Sequence, residues 1–463
     1  MKRAIQTALA GWGFVSALIF FQFLWTYSRH GLPGFGIFMQ EAVFTHIPIT
    51  LASVIITWLL AGYLLWLLLT GRLNKGTALT WSGFFLCGFL YLNVLRERVR
   101  YGDIDYYTQA AFALVRGTAL PDTYFYPPLW ATLLSLLTPL GENGILLIAW
   151  TANVASLLLF YLLLHRTLEL YDFQPRAAAL ITTLFILVNM PVLRTFMYVQ
   201  VNFHVMNFIL LSILFYKDRP LLSAAMLALD VHFKASPAVL VLAFLLELNW
   251  KWLAGFAVSL LLIAAFPLAL YGTGPYYDFL NNFFFLNAPR GLSLHDSSFD
   301  SAIGMTLSYV RADFAVVQTL VLVAKVVTAA VSILLCLQTR GFVTIQRNGI
   351  RLYDSILPLF VGMTLLSPLV WEHHAVFLSL PFLLLLKKLE FPNEWILFGS
   401  VYLLIFLIPT FDFFPWSYGR LVGMLILLAL LWVRRTSQTN TLFPGLNAWA
   451  EAAFAFKSPT NGI

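Results

Sequence analysis

The chain has 463 residues, of which 60% are apolar and only 11% charged, and its mean hydropathy of +0.83 excludes a soluble domain because no globule this size can bury so many apolar blocks. A formal net charge of +7 raises the question of nucleic-acid or acidic partners. Most Lys and Arg, however, fall in short breaks between apolar blocks, where they read as orientation signals of a polytopic membrane protein. Cys87 and Cys336 both lie inside apolar blocks, which argues against a disulfide framework or a thiolate metal site.

The N-terminus, "MKRAIQTALAGWGFVSALIFFQFLWTY", has a basic start and no small-residue cleavage site after its apolar run, so it reads as a retained first span. Further apolar runs predict helices at 44–70, 77–95, 144–164, 177–193, 203–216, 220–233, 237–249, 252–271, 315–338, 354–370, 375–388, 394–410 and 420–434, after a first at 6–27. The expected fold is an all-α polytopic bundle of about 14 transmembrane helices, both termini on one side. With Lys2 and Arg3 inside, the inner breaks carry Arg72 and Lys75, Arg166 and Arg176, Lys217 and Arg219, Lys251, Arg340 with Arg347 and Arg351, Lys387 with Lys388, and Arg434 with Arg435. That pattern requires "YPPLWATLLSLLTPLG", 126–141, not to cross, in keeping with its shortness and its prolines.

The outer segments then collect most of the unusual polar residues. In "RYGDIDYYTQAAFALVRG", Ile104, Tyr107, Ala111, Leu114 and Val115 repeat with helical spacing up to Gly117, predicting a short amphipathic helix along the membrane surface. Asp103 stands at its N-cap position, and two readings stay open there: a simple helix cap or a functional carboxylate. Asp105, two residues on, points away from Asp103. In "MYVQVNFH", Gln200 and Asn202 can orient a hydroxyl-rich ligand, or merely satisfy backbone and helix partners. In "ALDVHFKASP", Asp230 and Lys234 stand four apart, the spacing of a helix ion pair, while a Lys at the end of a span is also well placed for a phosphate.

Further on, "FFFLNAPRGLSLHDSSFDSAIG" supplies Arg290, His295, Asp296 and Asp300 among aromatics, as a lid or acceptor loop would. "LLSPLVWEHHAVFL" puts Glu372, His373 and His374 in a tight turn between spans. HxxxH and HExxH spacing are absent, so hydrogen bonding to a phosphate or acceptor sugar, or an ordinary interfacial turn, is read there rather than zinc. No Walker loop, GxSxG elbow or CxxC pair occurs, which leaves nucleotide hydrolysis, serine-hydrolase and thiol chemistry without support.

Five of these segments, in order "GDIDYYTQAAFALVRG", "FYPPLW", "VQVN", "LDVHFKASP" and "LSPLVWEHH", resemble the polyprenol-phosphate-dependent mannosyltransferases of glycosyltransferase family 87, in the GT-C superfamily. The family patterns are an Asp followed by YY and an alanine pair, YPPL, GQxN, Lys-x-x-Pro and SPxxWxHH. The resemblance covers roughly residues 95 to 430. It implies a GT-C catalytic domain at 77–435 with an outer-face amphipathic helix and long outer loops, after an N-terminal hairpin at 1–76 of unassigned role and before a loosely ordered cytoplasmic tail at 436–463. It implies an inverting transfer of a sugar, mannose being the family's commonest, from a polyprenyl-phosphate donor to a lipid or glycan acceptor. By position, the catalytic acid falls on Asp103, with Asp105 next. The donor phosphate falls to Lys234, His373, His374 and Arg290, and sugar or acceptor contacts fall to Tyr107, Tyr126, Gln200, Asn202 and Glu372. No metal or other cofactor and no nucleic acid is implied. The expected setting is a bacterial plasma membrane with the site facing the periplasm or exterior.

Two departures matter. Val199 replaces the family glycine before the amides, which puts close backbone approach there in question, and "HDSS" stands where the family often has Asn-Gln-Ser. A base at a helix N-terminus is expected to have a depressed pKa. The competing class is a lipid-linked-sugar flippase or transporter, disfavoured because the polar clusters gather on one side and no repeat is evident. A pentosyl or arabinofuranosyl transferase is the alternative among enzymes.

Overall fold

The computed structural model describes residues 102–286, 296–341, 350–407 and 416–434, together with positions 17, 62–63, 66–67, 70 and 72. The N-terminal hairpin, apart from those positions, and the expected span at 77–95 lie outside the described residues, as do Arg290, His295 and the tail. Every regular element among the described residues is helical.

Helix α1 (Asp103–Arg116) buries Ile104, Tyr107, Ala111 and Leu114, whereas Val115, assigned to that face by its spacing, is exposed. It ends where Gly117 takes a left-handed φ of 68° and its N–H closes onto the Ala113 and Leu114 carbonyls, a turn that glycine makes without steric cost. Helix α2 (Pro128–Ser135) begins on a proline and runs only about 12 Å at ~1.5 Å per residue, well short of a ~30 Å hydrocarbon core. The long helix α3 (Gly141–Leu170) follows.

The single span expected at 177–193 is two helices, α4 (Pro175–Leu187) and α5 (Met190–Met197), bent by 61°. The break has a local cause: Asn189 caps α5 by accepting a hydrogen bond from the Val192 N–H at 3.0 Å, and Pro191, in the first turn of α5, has no N–H to donate back to the Leu187 carbonyl as a continuous helix would require. Helices α6 (Asn202–Phe215) and α7 (Pro220–Phe233) pack as an antiparallel pair, and α9 (Trp250–Tyr271) packs on α7, after a 3-10 turn and the short α8 (Val241–Leu246). Phe244 and Trp252 stack there at 4.2 Å. Helices α10 (Gly274–Leu286), α11 (Phe299–Ser308), α12 (Phe314–Gly341) and α13 (Ile350–Leu365) come next. A 3-10 turn, Glu372–Leu378, then leads into α14 (Ser379–Leu385); α15 (Pro392–Val401) continues as a π-helical stretch to Leu407, and α16 (Gly419–Val433) completes the order.

Among the described residues, three helical stretches, Thr138–Leu170, Trp250–Tyr271 and Phe314–Gln338, are long and apolar enough to cross a membrane, the bent α4–α5 pair makes a fourth if it is one span, and six shorter apolar helices accompany them. The chain is a membrane protein. The expected count of about 14 spans extends over residues outside those described.

The helices sort the charges into two ends. Asn202 opens α6 and Lys234 follows α7, so the Lys217–Arg219 connection between them lies at the far end. Arg420 opens α16 and Arg434 follows it, while Glu372 precedes α14 and Lys388 lies just beyond it. At the far end Asp354 takes Lys388 at 2.5 Å and the Tyr171 hydroxyl at 2.6 Å, Lys387 donates to the Asp172 carbonyl, and Arg434 bridges Glu390 and Glu394. The other end holds the candidate site.

Candidate active site

The site begins with a close approach. A Cβ on Gly102 would lie 3.0 Å from the Tyr198 Cα and 3.2 Å from its carbonyl oxygen, so only glycine lets the start of α1 press against the turn after α5. Gly102 itself holds the N-cap position, and Asp103 is the first helical residue with no side-chain cap bond. The cap reading of Asp103 is therefore corrected, and its carboxylate is left for other uses. Asp105 lies about 200° round the same helix. The charges acting on Lys234 come from Asp103 and Asp230.

One turn on, the fully buried Tyr107 hydroxyl donates to Gln200 Oε1 at 2.9 Å, and Tyr126 reaches the same oxygen at 3.4 Å, the two rings meeting edge-on. Gln200 is brought there by the turn ending α5, in which Gln200 N–H bonds the Thr195 carbonyl at 3.0 Å and Val199 adopts φ 52°. That left-handed conformation is what glycine takes freely. A β-branched residue holds it under strain, so the valine keeps the backbone shape the sequence put in question.

Lys234 leaves α7 in an extended conformation, and this overturns the expected ion pair with Asp230. Its ammonium donates to Asn202 Oδ1 at 3.0 Å and lies over the Tyr126 and Phe377 rings at 5.8 and 5.1 Å. Both Asp230 carboxyl oxygens are buried without a hydrogen-bond partner.

The histidine turn packs against this group. The His373 carbonyl accepts from Asn202 Nδ2 at 3.2 Å and from Thr195 Oγ1 at 3.3 Å. His374 Nδ1 accepts from the Trp371 N–H at 3.2 Å, so that nitrogen carries no proton. Glu372, offered by the sequence as a sugar contact, has its two oxygens held by Arg194 Nε and Arg420 Nη2, each at 3.1 Å. The loop "HDSS" supports the same turn: Asp296 accepts from the Val370 N–H at 2.7 Å and from Ser298 N–H and hydroxyl at 2.9 and 2.7 Å. Asp300 turns elsewhere, to Lys325 at 2.6 Å.

Electrostatics follow from burial. Asp103 and Lys234 each keep some surface open but are enclosed on most sides by protein. Loss of hydration pushes Asp103 up to about 7, against the pull of the Lys234 charge, and the same loss pushes Lys234 down to about 7 against Asp103 and Asp230. The depressed acid expected from the helix N-terminus is thus reversed, because desolvation outweighs the end charge of a helix. Burial, then the Lys234 charge, drives His373 and His374 well below the usual imidazole range, so both are neutral near pH 7. Asp296 is pushed up to about 6 by burial, resisted by its hydrogen bonds to Val370 and Ser298. Among the described residues, no three His, Cys, Asp or Glu side chains gather closely enough to hold a metal ion.

The result is a carboxylate poised near neutrality, an ammonium beside it, neutral imidazoles and an amide pair, which is what an acid–base group transfer at an anionic leaving group requires. The family model for glycosyltransferase family 87 matches residues 124–368, just over half the chain. The chain belongs to glycosyltransferase family 87. It is a membrane glycosyltransferase. No curated protein matches it. The family-87 match takes in Tyr126, Gln200, Asn202 and Lys234, while Asp103, Asp105 and Tyr107 precede it and Glu372, His373 and His374 follow it. The structure brings Asp103, Tyr107, Tyr126, Gln200, Asn202, Lys234, His373 and His374 into one neighbourhood. Sequence reasoning passed over Thr195, Arg194 and Arg420 as parts of it. A lone arginine in "YGRLVGMLILL" was a usable signal, since a charge entering an apolar helix is costly and seldom idle.

Proposed function

We propose that this enzyme moves a sugar, mannose in the first instance, from a polyprenyl-phosphate donor to a hydroxyl of a lipid-linked or glycan acceptor at the outer face of the membrane, with inversion and without a metal or other cofactor. Asp103 accepts the proton of the acceptor hydroxyl as its oxygen attacks the anomeric carbon. The bond from that carbon to the phosphate oxygen breaks in the same step, and the lipid phosphate departs with the electron pair. Lys234 meets the charge that develops there, with neutral His373 and His374 as hydrogen-bonding partners and Arg290 as a further cation. Gln200, Asn202, Tyr107 and Tyr126 bind sugar hydroxyls, and Asp105 is the second candidate base.

The observation that carries this reading is that Asp103 and Lys234 feel each other's charge in a site where two buried polar atoms, Gln200 Nε2 and His373 Nδ1, have no hydrogen-bond partner in the protein. Buried polar atoms cost free energy unless something bonds them, and a polyhydroxylated phosphate ester is well suited to do so. The test is incubation of the purified protein in detergent with polyprenyl-phosphate mannose, or the corresponding pentose donor, and candidate acceptors. Transfer with inverted anomeric configuration supports the proposal. Donor translocation in sealed vesicles with no transfer in detergent would replace it by a flippase.

A further inference from the structure

The grip on Glu372 does not end at Glu372. Arg194, Glu372 and Arg420 are only 4%, 9% and 3% exposed, so the glutamate is a buried anion whose two oxygens are fixed by two guanidinium groups from different helices. Arg420 is itself tied down, its Nε donating to the Ile405 carbonyl at 3.2 Å in the π-helical stretch. One residue after Glu372, the His373 carbonyl accepts from Asn202 Nδ2, and the opposite end of that same amide accepts from Lys234 Nζ. A planar amide engaged at both ends cannot turn, so where the His373 carbonyl lies decides where the ammonium is held. Arg420 stands outside the segment matched to the family, and no substrate contact has been assigned to it.

We infer that Arg420 is a positioning residue for the Lys234 ammonium, acting through Glu372, the His373 carbonyl and the Asn202 amide. Glu372 is then the anchor of this relay rather than a sugar ligand. The functional importance of the relay rests on the reading of Lys234 as the partner of the donor phosphate, but its existence does not.

The experiment is competitive acetylation of the purified full-length protein in detergent with acetic anhydride, read by mass spectrometry at Lys234 and, as an internal control at the far end, at Lys388, whose ammonium is held by Asp354. In Arg420→Gln the Lys234 rate should change by about threefold or more while Lys388 stays at its wild-type rate, and Arg420→Lys should recover part of the change. Unchanged Lys234 labelling in Arg420→Gln overturns the inference. If Arg420→Gln disturbs Lys388 as well, the near-isosteric Glu372→Gln decides by the same two rates. No donor enters this measurement, so a failure of polyprenyl-phosphate sugars to react would sink the proposed function and leave the relay standing. Where transfer is observed, Arg420→Gln should raise the donor KM more than it lowers kcat, and Arg420→Gln with Glu372→Gln should be no worse than the worse single variant. Losses that multiply overturn the relay.

Discussion

The two ends of the helix bundle use the same kinds of residue in opposite ways. Among the described residues at the far end, Asp354 is answered by Lys388 and Tyr171, Arg434 by Glu390 and Glu394, and Lys387 by a backbone carbonyl. At the site end Lys234 has an amide for a partner rather than a carboxylate, Asp230 has no hydrogen-bond partner for either oxygen, and Gln200 and His373 each keep one polar atom unbonded. A folded chain gains nothing from leaving buried polar groups unsatisfied. The difference separates charges that hold the bundle together from charges kept ready for a substrate.

Four tests sharpen that contrast, in descending size of effect. Lys234→Ala should cut transfer by about 10²–10³-fold with little change in thermal stability, because it removes charge stabilisation at the leaving group and not a satisfied structural pair. A fall in melting temperature that accounts for the lost activity would erase the distinction between the ends. Asp354→Asn should do the reverse: strand Lys388, cost about 3 kcal/mol of stability, and leave the rate per folded molecule at the wild-type level.

The third test is pH. Transfer should fall about tenfold per unit below pH 7, where Asp103 takes up a proton and can no longer accept one, and fall again on the alkaline side as Lys234 loses its charge. Lys234→Arg should keep the acid limb and remove the alkaline one, since a guanidinium stays protonated. The smallest effect concerns Val199. Val199→Ala loses buried surface and keeps the strained backbone, whereas Val199→Gly loses slightly more surface and relieves the strain, so glycine should be the better tolerated by about 1 kcal/mol in chemical or thermal unfolding.

Much of this was legible in the sequence where the cause is local. The span expected at 220–233 matches α7 residue for residue because Pro220 starts it, and the segment at 126–141 contains only the eight-residue α2, which opens on a proline, before the 3-10 turn at Thr138–Leu140. Gly117 ends α1 as its position suggested. Misreadings came from contacts distant in sequence or from a small shift of frame. The cap reading of Asp103 stays open in the sequence because nothing in "RYGDID" announces that Gly102 is pinned to Tyr198. Asp230 and Lys234 have ion-pair spacing, but the chain leaves the helix at Lys234, and the four-residue rule applies only while the helix continues. Glu372 looks like a ligand beside two histidines until Arg194 and Arg420, 178 and 48 residues away, are seen on its oxygens.

The central claim, that Asp103 is the base, is tested most directly by the transfer rate of Asp103→Asn at saturating donor and acceptor in detergent, with the melting temperature measured on the same preparation. The account predicts a loss of about 10³-fold or more at an unchanged melting temperature, with Asp105→Asn far less affected. Wild-type turnover by Asp103→Asn would contradict it.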